Sequence, residues 1–375
     1  MLWPRDGVPD SPGAWLTTVA RNSALDVLRR RVTEERKLRD VAAMSIARGD
    51  APSDPASIVA RGWDEDADDR LRLLFACAHP ALAMEARVAL TLHAVAGLTT
   101  REIAHAFFVS ESTMAQRLVR AKRRIRGAGI PFRVPPAEEL PERLDGVLAV
   151  LYLVYSEGYA ASGGEEWMRV DLATEAIRVL RLVIELVGAA ASDEARALLA
   201  LMLLHHSRRE ARLDAGGDLV PLEDQDRSAW DAAIIGEARA LLDTPYLIRG
   251  GYRAQAELAA EHAFAPEAAA TNWPRIVRLY DELGTFSESP MVRLNRAIAL
   301  GFAEKLETGL AVLDRLAASG ELADSHLLPA ARADLRRRLG DREGALTAYR
   351  EAWELAPTGA ERRFLSRRIT ELGGG

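Results

Sequence analysis

The sequence offers little to cross-link and little to stack: one cysteine, Cys77, and 6% aromatic residues in a chain of 375. A lone thiol cannot close an intrachain disulfide. Long apolar runs are missing too. None approaches the ~20 residues that span a bilayer, and Pro4, Arg5 and Asp6 break up the opening before a signal-peptide core can form. A cytoplasmic protein with no membrane partner is the expectation. Catalytic arrangements are equally scarce: there is no glycine-rich phosphate loop, no nucleophile elbow and no carboxylate pair beside a base. His205-His206 and Cys77 with His79 lack two further ligands at usable spacing, so no metal is assigned. Neither an enzyme nor a cofactor is expected. A formal net charge of −6 excludes a uniformly basic nucleic-acid coat protein and leaves room for a local basic patch.

What the chain has is helix-forming sequence. Hydrophobic residues make up 49% and charged residues 28%, enough to bury a core of two or three domains. Apolar positions recur at three and four residues over most of the length, strand signals are almost absent, and the expected fold is all-α. Proline and glycine mark four stretches. Residues 1–32 hold a helix from about Gly13 to Val32, preceded by Pro4, Pro9 and Pro12. Residues 33–66 form an acidic, proline-containing linker through Asp50, Pro52, Asp54 and Pro55 to Asp64-Glu65-Asp66. Residues 67–130 are compact helices closed by Gly127, Gly129 and Pro131, and 131–375 is a long helical region entered through Pro135-Pro136.

The clearest chemistry lies between Leu98 and Arg126. Ile103, Ala104 and Phe107 give a short helix a buried face, Phe108-Val109-Ser110 reads as a turn, and Thr99-Thr100 supply caps. In the following helix Met114, Leu118, Ala121 and Ile125 step by four, three and four along one stripe. This is helix-turn-helix spacing. Thr113, Gln116, Arg117, Arg120, Arg123 and Arg124 lie on the polar side, where they can reach base edges and phosphates from a major groove, and Ala115 and Val119 complete the set. Residues 101–126 hold seven basic side chains against Glu102 and Glu111. A solvated basic face would account for the charge, but not for its register against a buried stripe. DNA binding is the stronger reading.

Gly97-Leu98-Thr99-Thr100-Arg101-Glu102-Ile103-Ala104, followed by Ser112-Thr113-Met114-Ala115-Gln116-Arg117-Leu118-Val119-Arg120-Ala121-Lys122, resembles region 4 of bacterial extracytoplasmic-function (ECF) sigma factors. That region reads the −35 promoter element. Gly13-Ala14-Trp15-Leu16, Val19-Ala20-Arg21-Asn22, Leu25-Asp26 and Arg29-Arg30 are similar to the same family's promoter-melting helix in region 2. Trp15 can stack, Asn22 can hydrogen-bond a base, and Arg21, Arg29, Arg30 and Arg31 can follow the phosphates of an opened strand. Without the resemblance, an amphipathic surface helix burying Trp15, Leu16, Val19 and Leu28 is the plainer reading. The resemblance implies a transcription initiation factor whose partners are RNA polymerase core enzyme and promoter DNA.

Arg143-Leu144-Asp145-Gly146-Val147, Tyr155-Ser156-Glu157-Gly158-Tyr159, Glu223-Asp224-Gln225-Asp226-Arg227 and Val292-Arg293-Leu294-Asn295-Arg296-Ala297 look like the C-terminal extension of one ECF subgroup, which carries a tetratricopeptide-repeat-like (TPR-like) domain. Ala333, Gly340, Ala345, Tyr349, Ala352 and Pro357 fit such a helix pair, and a weaker copy stands 36 residues earlier at Ala297, Gly309 and Leu313. A superhelix of degenerate repeats is expected. The Glu223 to Arg227 run with Trp230 either lines a groove for a protein or small-molecule ligand or, more simply, caps a helix starting near Ser228.

Two departures from the family pattern matter. Only fourteen residues precede Trp15, too few for the polymerase-anchoring helices of region 2, which implies a start assigned too far downstream or a copy unable to hold polymerase. Ala115 stands where many relatives place a basic residue, which implies altered promoter preference. Two rival readings remain: a TPR adaptor with an inactive DNA module, and a one-component helix-turn-helix regulator.

Overall fold

The computed structural model describes residues 67–375 other than 96, 108, 137, 161–167, 188–192, 357 and 374–375. The helix expected from Gly13 to Val32 and the linker at 33–66 lie outside the described residues. Within them the chain is all-α: fifteen α-helices, and no β-structure beyond one isolated bridge between Leu213 and Leu219. No described helix is long and apolar enough to cross a membrane.

The first four helices are α1 (Ala67–Cys77), α2 (Met84–Ala94), α3 (Thr100–Ala106) and α4 (Glu111–Gly127). Arg87 is buried and ties the α1–α2 turn, its guanidinium donating to the carbonyls of Leu82 at 2.8 Å and Pro80 at 2.7 Å. Cys77 is buried at the end of α1, where desolvation pushes its thiol up to about 12, so it carries no reactive thiolate. α4 ends as the glycine signal predicts. Gly129 takes the left-handed conformation at φ 60°, and the Ile130 N–H returns to the Ile125 carbonyl at 3.2 Å.

Helices α5 (Leu140–Tyr159), α6 (Val170–Val187) and α7 (Asp193–His206) follow. α5 buries residues on nearly every side, because it lies between the first four helices and the rest of the chain. Leu144, Val147, Leu148 and Leu151 belong to the same core as Leu73, Leu74, Phe75 and Leu90. Arg143 donates to the Phe75 carbonyl at 2.9 Å across this seam. The core therefore runs without a break across residue 131, where the sequence suggested a domain boundary. On its other side α5 is anchored by Tyr155, whose hydroxyl donates to the Met202 carbonyl at 2.9 Å. At the α5–α6 crossing a Cβ on Gly158 would collide with the Ala173 backbone and stand 2.9 Å from the Arg169 carbonyl. Gly158→Ala is expected to cost about 1–3 kcal/mol through forced backbone separation, checked by denaturant unfolding. An unchanged midpoint would show that the crossing yields.

Residues 207–231 interrupt the helical run, an interruption that helical periodicity did not foresee. They form three short 3-10 turns, Arg209–Ala211, Leu222–Asp224 and Arg227–Ala229. The expected helix near Ser228 is corrected. Asp226 caps only the last of these turns, Trp230 is buried with extended backbone, and α8 (Ala232–Asp243) starts behind its own cap, with Asp231 accepting the Ile234 N–H at 3.1 Å. A buried Trp230 in extended backbone postpones the helix by four residues. The acids of this loop reach the far end of the chain instead: Glu223 pairs with Arg338, and Asp218 accepts from Arg363 at 2.5 Å and Arg367 at 3.3 Å.

The remainder is a succession of helices: α9 (Gly251–Ala263), which packs chiefly on α7, then α10 (Trp273–Phe286), α11 (Pro290–Ala303), α12 (Leu306–Ser319), α13 (Leu327–Arg338), α14 (Arg342–Leu355) and α15 (Gly359–Gly373), each of these packed chiefly on a sequence neighbour. Ala297 and Leu313 are buried between α11 and α12, and Ala333, Ala345, Tyr349 and Ala352 between α13 and α14. At the start of α15 Thr358 and Glu361 cap one another, the Thr358 hydroxyl donating to the carboxylate at 2.9 Å and the Glu361 N–H returning to Thr358 Oγ1 at 3.3 Å. Burial pushes the Glu361 carboxyl up to about 7. The folded chain then holds an extra proton above the ordinary carboxylate range, so stability falls as pH rises from about 4.5 through 7. Glu361→Gln is expected to flatten that fall, measured as urea midpoints at pH 5 and pH 8. An unchanged slope would clear Glu361 as its source.

Candidate nucleic-acid interface

α3 and α4 meet through the stripe the sequence predicted. Ile103 and Ala104 on α3 are buried, Phe107 packs half-buried against the same core, and Met114, Leu118, Ala121 and Ile125 carry the inner side of α4. Ser110 starts α4: its hydroxyl accepts the Thr113 N–H at 3.2 Å and bonds the hydroxyls of Thr113 at 2.8 Å and Ser112 at 3.0 Å. Glu111 in the first turn, and Arg124 and Arg126 in the last, both suit the helix dipole.

Residues 112, 116, 119 and 123 repeat the four-three-four step of the buried stripe from a start two residues earlier, which places them opposite it. Ser112, Gln116, Val119 and Arg123 are all exposed there, Val119 at 51%, and Arg120 and Ala115 are exposed beside them. Arg124 is also exposed. Thr113 and Arg117 are only half-exposed. Thr113 is engaged with the Ser110 cap, and the Arg117 guanidinium is 3.9 Å from the Glu85 carboxylate on α2. Among the described residues no other basic side chain of α4 has a carboxylate within ion-pairing distance. Six cations on one helix with one ion pair between them leave an unneutralised surface, which a phosphate backbone can neutralise with release of its counterions.

Of the residues expected to touch DNA, α4 therefore brings Gln116, Arg120 and Arg123 to one outward face with Ala115 and Val119. Thr113, Arg117 and Arg124 fall on its flank. Trp15, Arg21, Asn22, Arg29 and Arg30 lie outside the described residues. The sequence reading passed over Ser112 as a site residue, although its place two positions before Met114 marks it. It also passed over the Glu85 contact, which joins two helices and leaves no local pattern.

The surface just described is that of a sigma-factor-like, DNA-binding unit: residues 72–125 match the family model described as "Sigma-70, region 4". Residues 143–245 match a second model, "Family of unknown function (DUF6596)". The whole chain is similar to an uncharacterized protein of Rhizobium meliloti (strain 1021), with 41% identity over 380 residues, covering 99% of this chain and 86% of that protein. It belongs to that protein's family. No solved structure matches.

Proposed function

We propose that the chain is a promoter-reading sigma factor of the ECF type, acting in the cytoplasm with RNA polymerase core enzyme and carrying a TPR-like extension over 131–375. The observation that carries the proposal is the cationic face of α4, with a single ion pair among the described residues, within the region 4 match. Gln116, Arg120 and Arg123 read base edges of the −35 element, Ala115 and Val119 offer apolar contact, and Arg117 and Arg124 hold phosphates. The segment at 1–32 takes the −10 strand through Trp15, Arg21, Asn22, Arg29 and Arg30, beyond the linker at 33–66, and polymerase supplies all catalysis. The unit at 67–130 is held by α5 and α6, so the extension sets the angle at which α4 meets DNA. Its TPR-like character is supported by two consecutive helix pairs that bury Ala297 and Leu313, then Ala333 and Tyr349, 36 residues later.

The test is selection from a randomised DNA library by the full chain, with and without core polymerase. Recovery of an asymmetric upstream element, far more strongly enriched with core than without, is the expected result. Palindromic sites recovered without core would instead make the chain a one-component regulator, and no DNA recovered in either arm would make it an adaptor.

A further inference from the structure

Among the described residues of the first four helices, Val119 is the one large apolar side chain that stands exposed, at 51%. A single exposed valine is ordinary on a protein surface, and the plain account is that Val119 is simply solvated. Its setting argues against that account. Val119 lies in the middle of α4, on the side opposite the buried stripe, and the other residues of that outward row, Ser112, Gln116 and Arg123, are all polar. A β-branched residue there is a poorer helix former than the arginines and glutamine around it, and with no neighbour to pack against it returns nothing to the fold.

The surface neighbours of a helical residue lie three and four positions away. For Val119 these are Ala115 and Gln116 toward the N-terminus of α4, and Lys122 and Arg123 toward its C-terminus. Gln116 offers the amide that suits an adenine edge, and Arg123 the guanidinium that suits guanine. Val119 stands between the two. A major groove presents donors and acceptors at every base pair but only one kind of apolar group, the 5-methyl of thymine. Helix rise sets Gln116 and Arg123 about 4.5 and 6 Å along the axis from Val119, so with base pairs ~3.4 Å apart each contact falls one or two base pairs away. Exposed Ala115, on the same side one turn earlier, adds a second methyl and is too short to hold the backbone off the groove.

We propose that Val119 is a specificity-determining residue that selects thymine, packing on the 5-methyl group of a base that lies between those read by Gln116 and Arg123. This selection rests on the reading of α4 as a base-reading helix, and it names the base that the apolar position of that helix demands. Burying one methyl group against a side chain is worth about fourfold in affinity. That is small beside a bidentate contact, so Val119 sorts sequences and contributes little to affinity as such. A contact between Val119 and another protein would need no methyl on the DNA, and removing that methyl tells the two apart.

The test is competition binding by the full chain with core polymerase, on the upstream element recovered by selection, with each thymine of that element replaced singly by deoxyuridine, which lacks only the methyl. Gln116→Ala and Arg123→Ala, by the base pair at which each relaxes preference, mark the two ends of the interval. One thymine inside it is expected to show about a fourfold loss on replacement. Val119→Ala is expected to erase that difference, since it removes both Cγ methyls; alanine at an exposed helix position keeps the fold, which thermal unfolding checks. Arg124→Ala, which touches phosphate, is expected to weaken both duplexes while leaving their ratio near fourfold. No thymine in the interval, no loss with deoxyuridine, or an undiminished loss in Val119→Ala overturns the proposal and leaves α4 a base reader. A Val119→Ala loss of equal size on both duplexes overturns it in favour of a protein contact. Recovery of no preferred element overturns the reading of α4 itself, and this selection with it.

Discussion

A chain ending at Arg133 is expected to lose both its cooperative unfolding and its DNA binding, although residues 67–130 contain every helix of the DNA-binding unit. The reason is the core that crosses residue 131. Leu144, Val147, Leu148 and Leu151 of α5 share one continuous buried core with Leu73, Leu74, Phe75 and Leu90, and Arg143 donates to the Phe75 carbonyl. Each such side chain gives about 1.5–3 kcal/mol when buried, so removing four of them withdraws on the order of 10 kcal/mol. That is comparable to the whole stability of a domain this small. Circular dichroism melts and fluorescence anisotropy on duplex DNA check the expectation. A truncated chain that melts cooperatively and binds as tightly as the full protein would show that the extension is a detachable inhibitor and not part of the fold.

The same seam shows where the sequence speaks and where it stops. The inner face of α4 was legible because Met114, Leu118, Ala121 and Ile125 mark a helix with one wet side, and a stripe of that kind fixes its own orientation. α5 was legible only as buried. Its residues are apolar nearly all round, which says that it has neighbours on several sides but not which ones. The loop at 207–231 was harder still. Its acids look like a local cap, yet Asp218 is held by Arg363 and Arg367, nearly 150 residues away in sequence, and no window of sequence records such a pairing. Arg117 failed to disclose its place for the same reason: a position on the flank of α4 reads as solvent-facing until Glu85 of another helix is brought beside it. Local periodicity thus gave the helices and the exposed basic face of α4, while long-range ion pairs and the shared core had to come from the structure.

The outward face of α4 carries the second large effect. Replacing Gln116, Arg120 and Arg123 together by Ala is expected to weaken binding to the selected promoter by about two to six powers of ten, since each base contact is worth about 1–3 kcal/mol. The same variant should lose far less on random duplex, where only two phosphate-competent charges disappear and the slope of log affinity against log salt falls by about 1.8. Arg124→Ala provides the contrast. Exposed on the flank and near the helix end, it should weaken both DNAs alike and lower the slope by about 0.9. Arg117 is the sharper case, because its guanidinium is drawn toward Glu85. If that contact holds it off the base edges, Arg117→Ala behaves like Arg124→Ala, and Glu85→Ala changes promoter preference by releasing Arg117 into the groove. Anisotropy titrations on selected and random duplexes between 50 and 300 mM salt, about the range over which such slopes are measured, separate the two behaviours. Equal losses on both DNAs for the triple variant would remove base reading from α4 altogether and leave it a non-specific phosphate contact.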